Sequence, residues 1–148
     1  MRAAYRVLAT LVMAGVGLQV ALIAYGAFGT AHDAEDGVAV DGAYSNTGLD
    51  LHGIVGIAIG LVVLLLLIVS FFTKVERGRT LAAVLVGLVV VQFVLATVSF
   101  GVPLLGTLHG LNALAIAAIA STAARRAAGE PASTKADAAA PAGTPAGA

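Results

Sequence analysis

Two histidines occupy matching positions in the chain, each near the start of a long apolar segment. His52 lies in the run Leu-His-Gly-Ile-Val-Gly and His109 in the run Leu-His-Gly-Leu-Asn-Ala. An imidazole in hydrocarbon is costly unless it has a partner, so an ionisable side chain there indicates a functional site. Haem iron accepts neutral imidazole as an axial ligand, and two histidines complete its six-coordination. The pair therefore predicts non-covalent binding of one haem b, with His52 and His109 as the metal ligands.

Composition places these histidines in a membrane protein. Of the 148 residues, 59% are hydrophobic and 11% are charged, which is too apolar for a small soluble domain. An apolar segment of about 20 residues is long enough to cross a bilayer once as a helix. Four such segments are present, at residues 7–28, 49–72, 81–100 and 104–124.

The four segments form two similar helical hairpins. Gln19 in the first segment and Gln92 in the third are each followed by a Phe-Gly dipeptide. A Leu-His-Gly run then follows each dipeptide. Internal repeats imply a pseudo-twofold arrangement with a site at the repeat interface. The predicted fold class is all-α, an integral membrane up-down-up-down four-helix bundle over residues 1–127. Residues 128–148, rich in alanine, proline and glycine, predict a disordered cytoplasmic tail.

Charge gives the predicted orientation, because Lys and Arg near span ends stay on the cytoplasmic side. The basic residues all fall on one side of the predicted bundle, at Arg2, Arg6, Lys74, Arg77, Arg79, Arg125, Arg126 and Lys135. The opposite side is acidic, with Asp33, Glu35, Asp36 and Asp41 in the first loop. Both termini are therefore predicted to be cytoplasmic, and the richness in Ala, Gly and Val favours a bacterial plasma membrane.

A cleaved signal peptide is the alternative for the first segment, with cleavage near residues 29–31. That segment is longer than the usual 7 to 15 residue apolar core. It also contains Gln19, which has a counterpart in the third segment. Both features favour retention of the first span.

Small residues follow each histidine along its helix face. Gly56 comes four residues after His52 and Ala113 four residues after His109, so each shares a face with its histidine. Such a stripe leaves room for a flat macrocycle, although small residues also pack membrane helices together without any ligand. Gln19 and Gln92 are predicted to flank the cofactor, the alternative being hydrogen bonds to neighbouring helices.

Other ligand chemistries remain open or are excluded. The chain has no cysteine, which excludes thiolate ligands, c-type haem attachment and disulfides. The histidines could instead hydrogen-bond a neighbouring helix, and a zinc or copper site could use His32 with loop carboxylates. Because the acidic side lacks Lys and Arg, haem propionates would need helix amino ends, water or other donors. The candidate donors are His32, Tyr44, Ser45, Asn46 and Thr107.

At these residues the chain resembles one four-helix half of the heme A synthase family, and small uncharacterised bacterial four-span proteins similar to it. The segment Val-Gln-Phe-Val-Leu-Ala-Thr-Val at 91–98 with Leu-His at 108–109 resembles that family's third and fourth helices, and Leu-His at 51–52 its second. The resemblance covers residues 7–124 and implies a paired-histidine haem site on the second and fourth helices. A catalytic carboxylate of that family would stand where this chain has Leu49, next to Asp50.

The predicted function is that of a membrane haem-b-binding protein for electron transfer or haem handling. The alternative is a haem-free accessory or structural subunit of a membrane complex, and the third possibility is haem oxidation of the heme A synthase type. The predicted partners are the lipid bilayer, a second copy or a larger membrane complex, and an unidentified redox partner. No nucleic-acid partner is expected.

Overall fold

Four long helices make up nearly all of the part of the chain that the structure describes. The structure is a computed structural model that describes residues 1–129, and no strand occurs within that range. The helices are α1 (Arg2–Glu35), α2 (Thr47–Ser70), α3 (Gly78–Ser99) and α4 (Leu105–Ala128). By length and composition, each is apolar enough to cross a membrane. The all-α class is thereby confirmed, and the four helices indicate a multi-pass membrane protein. The part of the predicted tail beyond Gly129 lies outside the described residues.

Helix α1 ends at Glu35, seven residues past the predicted apolar segment, and no proline occurs before that point. The hydroxyl of Thr30 donates to the carbonyl of Gly26 at 2.9 Å, a bond that stays within the helix. The chain leaves α1 where Gly37 adopts φ +83°, the left-handed conformation that commonly follows a helix. The loop between α1 and α2 is therefore shorter than the sequence predicts.

The two histidine-bearing helices begin slightly differently from the prediction. Helix α2 begins at Thr47, two residues before the predicted segment, and the Oδ1 of Asn46 before it accepts from the backbone N–H of Leu49 at 3.1 Å. The Asn46 Nδ2 also donates to the carbonyl of Gly26 and to the hydroxyl of Thr30. One side chain thus caps α2 and ties it to α1. Helix α4 begins after a turn in which Gly106 N–H donates to the carbonyl of Pro103 at 2.9 Å.

The helices contact one another as a closed ring of neighbours. Helix α1 lies against α2 and α4, and α3 lies against α4 and α2, with the smallest shared surface between α2 and α3. Across residues 1–129 the backbones of the diagonal pairs, α1 with α3 and α2 with α4, do not approach closely. Side chains from all four helices therefore fill one common interior.

The buried apolar side chains all lie in one half of this interior. They are Tyr5, Ala9, Val12, Val16, Val63, Leu66, Val75, Ala82, Leu85, Ile116, Ala120, Ala123 and Ala127. We call the half that contains them the tyrosine half. The other half, which we call the histidine half, contains residues 19–59, 89–99 and 105–113. Its only fully buried residues are Gly26 and Gly48, so packing there is more open.

The outer surface is strongly apolar. Large side chains such as Phe28, Leu61 and Phe100 are 79%, 64% and 94% exposed. Soluble monomers rarely expose contiguous apolar surface beyond a few hundred Å². Lipid would cover such a surface at no cost, in agreement with the predicted membrane location.

The closest backbone approach between α1 and α2 occurs where two glycines meet. A Cβ atom added at Gly48 would collide with the backbone of Gly26, whereas one added at Gly53 on the same helix would meet nothing within 4 Å. Small residues at such crossings let membrane helices approach closely. This contact, like the Asn46 bonds, sets the register of α1 against α2.

We expect Gly48→Ala to lower the free energy of unfolding by about 1–3 kcal/mol, because the added methyl group would force two helix backbones apart. Gly53→Ala is the matched control and should be neutral or slightly stabilising, because Ala favours helix by up to about 1 kcal/mol over Gly. Denaturant unfolding in mild detergent, followed by circular dichroism, measures both. Equal stability of the two variants would contradict the close approach.

Candidate functional site

The two predicted ligands meet across the interior of the histidine half. His52 lies in the second turn of α2 and His109 in the second turn of α4. Their ring centroids are 6.3 Å apart, with the ring planes inclined at 51°. Because α2 and α4 are a diagonal pair, only their side chains come close at this point. Both histidines are half-buried.

Each imidazole is oriented by a backbone carbonyl on the preceding helix. His52 Nδ1 lies 3.2 Å from the carbonyl oxygen of Gln19, and His109 Nδ1 lies 3.2 Å from that of Gln92. A carbonyl oxygen can only accept, so each Nδ1 carries the proton and each Nε2 keeps its lone pair. Histidines that bind metals usually donate their other ring N–H to a carbonyl or carboxylate in this way.

The spacing of the rings suits a metal ion between them. Metal–imidazole bonds are about 2 Å long and the ring centroid lies ~1.1 Å beyond the nitrogen, so two imidazoles on opposite sides of one ion have centroids about 6 Å apart. The observed 6.3 Å matches this value. The donor set of two neutral imidazoles is the one used for six-coordinate haem b. The donor type of the two histidines therefore suits haem, and their centroid separation is close to that of two ligands on one ion.

The Gln92 side chain contacts His109 directly. Its Nε2 lies 3.1 Å from His109 Nε2, while its Oε1 accepts from Asn112 Nδ2 at 2.6 Å. Asn112 also donates to the carbonyl of Leu88 at 2.9 Å. This bond to Oε1 directs the amide NH₂ of Gln92 towards the lone pair of His109.

Gln19 makes a different set of bonds. Its Nε2 donates to the backbone carbonyl of His52 at 2.9 Å, and its Oε1 is buried without a hydrogen-bond partner among residues 1–129. The residue corresponding to Asn112 in the first hairpin is Val55, which has no donor to offer. A Cβ atom at Gly56 would lie 2.9 Å from Gln19 Nε2, so this glycine makes room for the amide.

The glutamines and small residues can now be compared with their predicted roles. Gln19 and Gln92 do form hydrogen bonds to neighbouring helices, which was the alternative to flanking a cofactor, and those bonds involve the two histidines themselves. Gly56 accommodates Gln19, and Ala113 packs partly buried against the core of the tyrosine half. Gln19, Gln92 and Gly56 therefore lie at the histidine pair, whereas the described contacts of Ala113 are with the core of the tyrosine half.

The role of Asn112 was not predicted from the sequence. It stands three residues after His109, a spacing that places the two side chains on the same helix face. The signal that could have identified it is the one polar difference between the two matching runs, Asn112 against Val55.

The described loop residues are the next candidates for metal ligands. Among residues 1–129, no group of three or more His, Cys, Asp or Glu side chains is placed to hold a metal ion. His32 is 73% exposed and its Nε2 lies 3.7 Å from Asp36. The described geometry therefore adds no support for a zinc or copper site at His32.

Most of the predicted propionate donors are engaged within the chain. Tyr44 donates its hydroxyl to Asp33 at 2.7 Å, and Thr107 donates to the carbonyl of Leu104 at 2.7 Å. Asn46 Nδ2 donates to the carbonyl of Gly26 and to the hydroxyls of Thr30 and Tyr44. Tyr44, Asn46 and Thr107 would therefore have to give up these bonds to bind a propionate, whereas water, His32, Ser45 and helix amino ends would not.

Taken together, the fold and the site define an all-helical protein with four helices able to cross a membrane and a histidine pair in its interior. Residues 38–99 match a family of unknown function, DUF6220. The match covers less than half of the chain and includes His52 and Gln92, but neither Gln19 nor His109. No curated protein and no solved structure matches the chain significantly.

We expect both site histidines to be protonated on Nδ1 in the haem-free protein, because each Nδ1 faces a carbonyl. Nitrogen-15 NMR of histidine-labelled protein in detergent reports which ring nitrogen carries the proton. His52→Ala and His109→Ala assign the signals, and the exposed His32 is the internal comparison. Protonation of either site histidine on Nε2 would contradict the proposed orientation of that ring.

Proposed function

We propose that the protein is a membrane haem-b-binding protein in which His52 and His109 are the two axial ligands. The observation that carries this proposal is the histidine pair itself, with centroids 6.3 Å apart and both Nδ1 atoms directed at carbonyl oxygens. Two ligands oriented alike on facing helices are typical of cofactor sites inside helical bundles. The resemblance to one half of heme A synthase supports the same assignment.

The chain's contribution would be to position the haem and to exclude water. Haem supplies reversible one-electron chemistry when bound, and ligation by two histidines is suited to electron transfer. Gln19 and Gln92 orient the imidazoles through their carbonyls, and the surrounding apolar helices lower the local polarity. The buried apolar side chains lie in the tyrosine half and leave the histidine pair outside that cluster.

The proposed architecture is an up-down-up-down membrane bundle in a bacterial plasma membrane, with both termini cytoplasmic. Each described Lys and Arg lies at the end of the bundle that contains the tyrosine half, which we call the tyrosine end; the opposite end is the histidine end. At the tyrosine end, Arg126 pairs with Glu76 at 3.8 Å, and Arg2 donates to the carbonyl of Arg126. The acidic loop residues lie at the histidine end. This distribution supports cytoplasmic placement of the tyrosine end by the positive-inside rule.

A haem-free accessory subunit is the second candidate. Gly17, Gly53, Gly87 and Gly110 lie on the helices with nothing within 4 Å of an added Cβ. Outward small residues allow helices of a second copy or of a larger complex to approach closely. Haem oxidation of the heme A synthase type ranks third, and formation of a formyl product from haem O and oxygen would test it.

A visible spectrum of protein purified in mild detergent tests the main proposal. We expect wild type to show the spectrum of six-coordinate low-spin haem b. His52→Ala and His109→Ala should each lose that low-spin form, because each removes one axial ligand. His32→Ala is the matched control, since this histidine is exposed and far from the pair, and it should leave the spectrum unchanged.

The outcomes separate the candidates. A colourless wild type, even after supplementation with haem, would reject the haem proposal and favour the accessory role. Coloured protein whose low-spin spectrum survives both single substitutions would reject these two ligands.

Cysteine labelling tests the orientation, since the natural chain has no cysteine to interfere. We expect Ala43→Cys, in the loop between α1 and α2, to react with a membrane-impermeant maleimide on intact cells. Glu76→Cys, in the loop between α2 and α3, should react only after the cells are permeabilised, because the proposal places that loop in the cytoplasm. The reverse pattern would overturn the orientation.

A further inference from the structure

The two histidines of the candidate site have the same Nδ1 bond but different surroundings at Nε2. We propose that His52 is the anchoring axial ligand and His109 the exchangeable one, so that a small external ligand such as carbon monoxide can take the coordination position on the His109 side. This inference rests on the proposed function, since it concerns how the same two residues hold haem.

The lone pair of His109 already has a partner within the chain. Gln92 Nε2 lies 3.1 Å from His109 Nε2, and a neutral imidazole has one lone pair, which can serve either this N–H or a metal ion. Ligation by His109 therefore requires that the hydrogen bond from Gln92 be broken. A typical net hydrogen bond corresponds to roughly a fivefold change in an equilibrium constant.

Gln92 is held in the competing orientation. Its Oε1 accepts from Asn112 Nδ2 at 2.6 Å, and Asn112 is fixed in turn by its bond to the carbonyl of Leu88. A group that is already ordered loses little entropy when it binds. The amide is therefore ready to recapture His109 Nε2 whenever that imidazole leaves a metal ion.

The lone pair of His52 has no such competitor. Within residues 1–129, no hydrogen-bond partner contacts His52 Nε2, and the amide NH₂ of Gln19 is engaged by the backbone carbonyl of His52. The Gln19 Oε1 is an acceptor and cannot bond a lone pair. Because Val55 replaces the asparagine of the second hairpin, nothing turns Gln19 towards the ring.

Packing also favours movement on the side of His109. The two fully buried glycines of the histidine half, Gly26 and Gly48, lie on α1 and α2. No fully buried residue in that half belongs to the described parts of α3 or α4. Helix α2 is therefore anchored against α1 four residues before His52, whereas α4 has no such buried contact beside His109.

Haem retention is the first measurement. We expect purified His109→Ala to keep most of its haem in a five-coordinate form and His52→Ala to lose most of it. Equal retention by the two variants, or the reverse order, would overturn the inference while leaving two-histidine ligation intact. A wild type without haem would instead reject the proposed function.

Carbon monoxide titration of the reduced, haem-loaded protein is the second measurement. We expect the wild type to bind carbon monoxide, and Gln92→Leu to bind it about fivefold more weakly, because His109 then loses its competitor and holds the iron more firmly. Thr97→Val, which changes an exposed polar residue on the same helix as Gln92, is the control and should leave this affinity unchanged. Asn112→Val, which copies the first hairpin, should weaken binding in the same direction and serves if Gln92→Leu does not fold.

Two results would contradict the exchangeable role of His109. One is a haem-loaded wild type that does not bind carbon monoxide under saturating gas. The other is an affinity that is the same in wild type, Gln92→Leu and Asn112→Val.

Discussion

The need of each imidazole N–H for an acceptor inside an apolar interior is the constraint on which this site depends. Helix backbones provide few free acceptors, so the carbonyls of Gln19 and Gln92 hold His52 and His109 in one orientation each. His109 Nε2 then faces the Gln92 amide, and the separation of the two rings follows from where α1 and α3 place those carbonyls. Loss of either carbonyl contact would free a ring to turn, with no change in the helices themselves.

Stability and chemistry are divided between the two ends of the helices. The tyrosine half holds the tightly buried apolar residues, and Tyr5 adds a buried hydrogen bond to the carbonyl of Gly78 at 2.8 Å. The histidine half is held mainly by polar bonds and by the glycine contact between α1 and α2. This arrangement keeps the two imidazoles oriented without tight apolar packing around them.

Much of the fold could be predicted because hydrophobic length alone identifies long membrane helices. The proximity of His52 and His109 also followed, since alternate helices of such a hairpin pair begin at the same end. Helix ends were less predictable, because the extension of α1 to Glu35 and the capping by Asn46 depend on contacts between helices. The hydrogen bond from Asn112 to Gln92 depends on the directions of side chains on two different helices, α3 and α4. Residue spacing along one helix does not give those directions.

Asn46 has a consequence for how the first hairpin tolerates change. Because this single side chain bonds both α1 and the first turn of α2, the alignment of Gln19 with His52 is held by bonds that do not involve residues 38–43. Insertions, deletions or a different sequence at positions 38–43 should thus be accommodated without shifting the imidazole, leaving that stretch free to diverge or to acquire a role of its own.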